Sequence, residues 1–224
     1  MADYYSEKLN SLNLQKCYEL APERVKQFLE AEINFVLSKI CPTDIVLDLG
    51  CGYGRVAIKL IAKARKVVGI DISKENILYA EELYKMGKDL QFYEMDAANL
   101  SFQDNSYDMT ICIQNGISAF KIDPLLLIKE ALRVTKIGGI ILFSSYSSKF
   151  WNDRLNWFKI QAKYGLIGEI DFDRTKDGII VCKDGFIATT FSEKNFLDLA
   201  SNFNVDTSIY EIDNSSLFCE MRKN

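Results

Sequence analysis

The chain of 224 residues contains no histidine at all. A zinc site is therefore not expected, and any general base has to come from Asp, Glu, Tyr or Lys. The six cysteines, at positions 17, 41, 51, 112, 182 and 219, include no C-x-x-C pair, so neither a metal cluster nor a redox motif is indicated. Those at 112, 182 and 219 fall in apolar strand-like runs, where a free cysteine behaves as a small core hydrophobe. With only three prolines there is no proline-rich linker, and no repeat or low-complexity tract is visible. No segment approaches the roughly 18 apolar residues of a membrane span, and no basic stretch followed by an apolar run opens the chain. A cytoplasmic protein without a membrane partner is the expectation. Lys and Arg total 27 against 31 Asp and Glu, and basic residues do not cluster with aromatics, so nucleic acid is not favoured as a partner.

The chain is 48% hydrophobic, enough for one domain with a full core but too short for that core plus a second domain. Its most informative stretch is Ile45-Val-Leu-Asp-Leu-Gly-Cys-Gly-Tyr-Gly-Arg55. Ile45, Val46, Leu47 and Leu49 read as a buried parallel strand, and Val56, Ile58, Leu60 and Ile61 read as the start of an amphipathic helix. Gly50, Gly52 and Gly54 between them let the backbone turn sharply and come close to a ligand. The spacing is G-x-G-x-G, with Arg55 where a dinucleotide fingerprint has its third glycine. Asp48, two positions before the first glycine, would repel a phosphate and suits a cationic ligand.

Further acidic residues close the following strands. Asp71 ends Val67-Val-Gly-Ile-Asp71, about 20 positions beyond the glycine loop, where a carboxylate can accept from two ribose hydroxyls. Its competing role as a helix cap is better filled by Ser73, just before Lys74. Leu90–Met95 forms a third strand and leads into Asp96-Ala97; Tyr107–Ile113 forms a fourth and breaks into Gln114-Asn-Gly. Asp123, as N-cap, and Pro124, at the first helical position, start a helix that Gly138-Gly139 should stop before a fifth strand at Ile140–Phe143.

Asp48-Leu-Gly-Cys-Gly-Tyr-Gly54, with Asp71 and Asp96 following in order, resembles the class I methyltransferases that use S-adenosylmethionine. The resemblance implies an α/β, Rossmann-like fold: a seven-stranded, mostly parallel sheet with helices on both faces and the last strand antiparallel. An N-terminal helical cap and an insertion after strand five complete it. It implies a cofactor site of Asp48, Gly50, Cys51, Gly52, Asp71, Ile72, Asp96, Ala97 and Gln114, with Asp96 and Ala97 at the adenine and Gln114 beside the methyl group. S-adenosylmethionine is the implied cofactor and S-adenosylhomocysteine its product.

The single domain then divides into a cap segment (1–21), a cofactor-binding core (22–145), a variable insertion (146–191) and a C-terminal helix with edge hairpin (192–224). Cap segments of this kind often place a tyrosine or arginine near the methionine end, which makes Tyr5 and Arg24 candidates. Phe120, Trp151 and Trp157 are candidates for an apolar acceptor pocket. Methyl transfer to a small molecule by in-line displacement is the expected activity. A protein or RNA methyltransferase and a catalytically silent, cofactor-binding partner subunit are the alternatives, and the glycine spacing with Asp48 speaks against a nicotinamide oxidoreductase. The acceptor, a catalytic base and the oligomeric state cannot be read from the chain.

Overall fold

The computed structural model describes Tyr4, residues 9–84 and residues 87–224. Two helices, α1 (Ser11–Glu19) and α2 (Glu23–Lys39), lead into β1 (Ile45–Leu49). A one-turn helix α3 (Ala57–Leu60) and β2 (Lys66–Asp71) follow, then α4 (Lys74–Leu83), β3 (Leu90–Glu94) and β4 (Tyr107–Cys112). After the short α5 (Gly116–Ala119) come α6 (Pro124–Val134) and β5 (Thr135–Tyr146). A 3-10 turn (Ser148–Phe150), α7 (Trp151–Lys163) and a small hairpin of β6 (Ile180–Val181) and β7 (Ile187–Ala188) make up the insertion. The chain ends with α8 (Glu193–Ala200), β8 (Val205–Ile212) and β9 (Ser216–Lys223).

The seven-stranded sheet has the order β3-β2-β1-β4-β5-β9-β8. Its first five strands pair in parallel, while β9 runs antiparallel to both β5 and β8. Alternation along each strand sends side chains to opposite faces. Val46, Val67 and Met109 pack with α2, α3 and α4, while Leu47, Val68 and Ile141 pack with α6 and α8. By the same period of two, Asp48 and Asp71 fall on the α2 side, at the carboxyl ends of β1 and β2. Those ends are where ligands sit in open parallel sheets.

Two local expectations need correction. The helix after the glycine loop is a single turn, because the chain must reach β2 by Lys66 and Ala64 N–H already closes a turn onto Leu60 O at 2.9 Å. A helix that short has little dipole to offer an anion. Gly138 and Gly139 do not stop α6; that helix ends at Val134, where Thr135 turns extended and its hydroxyl accepts or donates at 2.7 Å to Thr110 and bonds Ala131 O. Both glycines lie inside β5, in a register shift that sets Lys136 to Gly139 against Asp108 alone. The caps at Asp123 and Ser73 agree with expectation, Asp123 accepting from Leu125 N–H and Ser73 from Asn76 N–H, and Ser192 adds a capping box with Asn195.

A third apolar cluster joins the chain's beginning to its insertion. Val25 and Phe28 of α2 and Cys17 of α1 pack with Phe150, Trp157 and Phe186. Together they roof the carboxyl edge of the sheet. Beneath that roof Gly69 of β2 admits the glycine loop, since a Cβ there would lie 2.8 Å from Cys51 Sγ and 2.8 Å from Phe92 Cδ1. Gly69→Ala should therefore lower the unfolding free energy by about 1–3 kcal/mol. Urea unfolding would show it as a lower midpoint with an unchanged slope.

Candidate functional site

Asp48 is 3% exposed, and its Oδ2 has no hydrogen-bond partner. Burial pushes this carboxyl up to about 7; the charge of Asp71 adds to the shift and the Arg55 guanidinium opposes it. The loop that follows has a left-handed backbone at Gly50 (φ +72°) and Gly52 (φ +53°). A side chain there would also meet the walls, since a Cβ would lie 2.8 Å from Phe120 Cζ at Gly50 and 2.9 Å from Leu14 Cδ2 at Gly52. Asp71 ties the loop to the next helix. Its Oδ2 accepts from Gly52 N–H at 2.9 Å, and its Oδ1 accepts from Ser73 N–H at 2.8 Å and Asn76 Nδ2 at 3.2 Å.

Beyond β4, Gln114 (φ +57°) and Asn115 (φ +63°) are both left-handed. The Gln114 N–H donates to Glu32 Oε2 at 2.8 Å and to Ser144 Oγ at 2.8 Å. Glu32 is fully buried on α2 and also accepts from the Ser216 hydroxyl. Desolvation still prevails over these bonds and pushes its carboxyl up to about 7. Asn115 is committed at both ends of its amide, donating to Thr189 O at 2.9 Å and accepting from Ser145 Oγ at 2.7 Å.

Helix α1 crosses over the glycine loop and is pinned to α4. Ser11 N–H donates to Asn76 Oδ1 at 2.6 Å, and the Tyr79 hydroxyl bonds Gln15. On its inner side the Tyr18 hydroxyl donates to Gln114 Oε1 at 3.4 Å, and the Arg55 guanidinium lies 4.4 Å from the Tyr18 ring centre. Beneath α1 runs a cavity of about 160 Å³, from Gly50, Asp71 and Ile72 past Gln114 and Phe120 to Trp157. A recess of about 40 Å³ adjoins it at Gln114 and is walled by Asp48, Cys51, Gly52 and Arg55. The two together present a dry carboxylate, a half-buried guanidinium and a ribose-competent acid around one glycine turn.

That combination suits an amino acid joined to a nucleoside, and the comparisons with known proteins agree. Residues 46–139 match the family model described as a methyltransferase domain. Over that stretch the chain is similar to methyltransferase domains. A 2-methyl-6-phytyl-1,4-hydroquinone methyltransferase of Synechocystis is 34% identical over 143 residues, which are 59% of this chain and 42% of that relative. This chain thus spans less than half the length of that relative. Among solved structures, the PH0226 protein of Pyrococcus horikoshii superposes with a TM-score of 0.69 at 21% identity, with 100% of both chains covered. The magnesium protoporphyrin IX methyltransferase of Synechocystis, solved with bound S-adenosylhomocysteine, gives 0.64 at 17% identity, covering 99% of this chain and 97% of that one. Both likenesses are of fold.

The residues expected at the site do not all meet. Asp48, Gly50, Cys51, Gly52, Asp71, Ile72, Gln114 and Phe120 line the two adjoining cavities. Asp96 and Ala97 lie past the end of β3 and line neither; Asp96 is exposed and accepts from Ala98 N–H at 2.8 Å, while Ala97 is buried. Trp151 faces a different cavity, of about 660 Å³, shared with Arg154 and Glu211. Arg24 is held at the β8–β9 turn, its Nη1 2.5 Å from Asp213 Oδ2 and its Nη2 2.7 Å from Asp213 O, so its charge is spent away from the cleft. Tyr5 lies outside the described residues.

Glu32 and Gln161 were not foreseen as part of the site. Glu32 did leave a signal: it stands four residues after Phe28 and four before Val36, an acid inside the apolar stripe of α2. Gln161 left none, because its four-residue offset from Trp157 gains meaning only once the insertion has folded over the sheet.

The two buried acids set a pH dependence. Glu32 and Asp48 are raised to about 7 in the native state, so between about pH 4 and 7 the folded protein binds more protons than the unfolded chain. Their contribution to stability accordingly falls as pH rises through that window and levels off above it. Glu32→Gln removes one share of the decline. Its unfolding free energy relative to wild type should improve between pH 5 and pH 8, by on the order of a few kcal/mol, in urea titrations at the two pH values. A pH-independent difference would show that Glu32 does not titrate in this window.

Proposed function

We propose that the protein is an S-adenosylmethionine-dependent methyltransferase acting on a small-molecule acceptor. The observation that carries the cofactor assignment is the buried, unpartnered oxygen of Asp48 beside a glycine turn that Phe120 and Leu14 leave no room to substitute. A lone carboxylate oxygen in a dry recess is costly until a cation meets it. In this reading Asp48 accepts from the amino group of the cofactor's amino-acid end, with Gly50, Cys51 and Gly52 forming the crevice floor. Asp71 accepts from the ribose hydroxyls, Ile72 covers one side of the nucleoside, and Asp96 and Ala97 take the adenine edge. Gln114 borders the place where transfer occurs. The bound cofactor supplies a methyl group already activated on a sulfonium.

The chain's own task is then alignment and exclusion of water, which can lower such a barrier by about 7–11 kcal/mol. Helix α1 and the insertion roof the cavity, so water is kept out of the region between Gln114 and Trp157. The roof also favours a small acceptor over a polymer. The net charge of −4 offers no basic track for RNA. The Synechocystis relative named above acts, by its name, on a hydroquinone, which is the same kind of acceptor.

Calorimetric titration with S-adenosylmethionine, S-adenosylhomocysteine and NAD tests the reading directly. The first two should bind and NAD should not; binding of NAD alone would overturn it. Asp71→Ala should weaken S-adenosylhomocysteine by about 1.5–3 kcal/mol for each charge-assisted hydrogen bond lost. An unchanged affinity would remove Asp71 from the site.

Asp48 adds a proton linkage. Because its carboxyl titrates near 7 in the free protein, a cationic ligand must displace a proton below that pH. Affinity should rise from pH 6 to pH 8 in wild type, and Asp48→Asn should bind more weakly with a flatter pH profile.

A further inference from the structure

The cofactor reading above accounts for the end of the cavity at Gly50 and Asp71, and leaves the far end, under the insertion, without a ligand. Four aromatic rings wall it: Tyr146, Trp157, Phe158 and Phe186. Trp157 and Phe158 meet edge to face at 6.0 Å and 79°, and Phe158 and Phe186 are tilted by 34° at 6.0 Å. The Trp157 indole N–H is already given to Cys17 O at 2.9 Å, so that ring contributes apolar surface alone. Asn115, the neighbouring amide, is committed to Thr189 and Ser145.

Two amides on this cavity's wall have an open end: Gln114, whose Nε2 is buried without a partner nearer the Asp71 end, and Gln161 under the insertion. Gln161 on α7 is 4% exposed and lines the same cavity, yet among the described residues its side-chain amide meets no hydrogen-bond partner. A buried amide left unpaired is costly, and a ligand group that pairs with it relieves the cost. Charge is missing as well. The only ionisable acid or cation among the described residues lining the cavity is Asp71, at the cofactor end and held by Gly52, Ser73 and Asn76. The nearby Arg154 lines the other cavity and gives its guanidinium to the carbonyls of Gly178 and Ala188.

We infer that this far end is the acceptor subsite, shaped for an uncharged ring molecule that carries a hydroxyl or carbonyl group paired with Gln161. The inference rests on the methyltransferase reading and deepens it by naming the acceptor's chemistry. Rings at this spacing accept a flat apolar body between their faces and edges. An anionic or cationic acceptor finds no charged side chain among the residues lining this end; the Arg154 guanidinium, 4.5 Å from the Tyr146 ring centre, is taken up by the carbonyls of Gly178 and Ala188. The amide of Gln161 can donate or accept, so it serves either oxygen function.

The probes are 4-ethylphenol, 4-ethylbenzoate and ethylbenzene, titrated into the full chain with and without saturating S-adenosylhomocysteine and followed by calorimetry and tryptophan fluorescence. The phenol should bind at least tenfold more tightly than the benzoate. Gln161→Leu, close in volume, should weaken the phenol by roughly three- to tenfold, leave ethylbenzene unchanged or tighter, and leave S-adenosylhomocysteine affinity as in wild type. Equal or tighter binding of the benzoate, or a phenol affinity indifferent to Gln161→Leu, overturns the subsite. The probe series on the wild-type protein decides the charge preference even if the variant does not fold. Failure of S-adenosylhomocysteine to bind while the phenol preference persists strikes the cofactor reading alone, and the reverse result strikes this one alone.

Discussion

The arrangement of this site follows from one electrostatic constraint, a carboxylate placed where water does not reach. Asp48 occupies the last inward position of β1 before the glycine turn, on the face packed by α2 and α3, so strand alternation rather than choice buries it. With one oxygen unpartnered and a second acid, Asp71, at the end of the adjacent strand, the recess is strongly biased toward positive charge. The glycine turn between the two strands is compatible with this because Gly52 N–H is spent on Asp71. A loop whose N–H groups are committed to a carboxylate is a poor phosphate cradle. The departure from the dinucleotide spacing and the departure from phosphate chemistry are therefore two sides of the same geometry.

A second acid extends the constraint across the sheet. Glu32 reaches from α2 to the ends of β4, β5 and β9 through Gln114, Ser144 and Ser216. The left-handed turn at Gln114 needs an acceptor for its N–H, and a buried carboxylate provides a strong one. Helix α2 thereby does more than cover the sheet: it fixes the direction in which β4 breaks, and with it the side chain of Gln114 that divides the cofactor end of the cavity from the ring-lined end.

How much of this was legible depended on how local the physics was. The strand ends could be read because each carries a local signature: apolar residues at strand period, then glycine or an acid. The caps at Ser73 and Asp123 were readable for the same reason, since a cap is a contact over two or three residues. Where the outcome depended on distant partners the reading failed. The length of α3 is set by where β2 must start, the glycines of β5 answer to a register shift against β4, and Arg24 answers to Asp213, 189 positions away. Trp151 and Trp157 look equivalent in sequence, six residues apart on one helix, but that offset sends them to two different cavities.

The roof joins two segments that lie far apart in the chain. Residues of α1 and α2 and residues of the insertion share one apolar cluster, so the two segments bury each other as well as the sheet edge. Trp157, whose indole N–H donates to Cys17 O, and Cys17 itself bring this cluster to the cavity wall, while Leu14 of α1 closes over Gly52. The insertion also reaches the strand ends directly, where Thr189 O accepts from the Asn115 amide and the Phe191 N–H donates to Ser145 Oγ. The Asp48 end of the cavity is bound to the sheet's register, whereas the ring-lined end is bound chiefly to apolar packing, which tolerates side chains of similar volume. In that apolar wall the amide of Gln161 favours a polar partner over an apolar one.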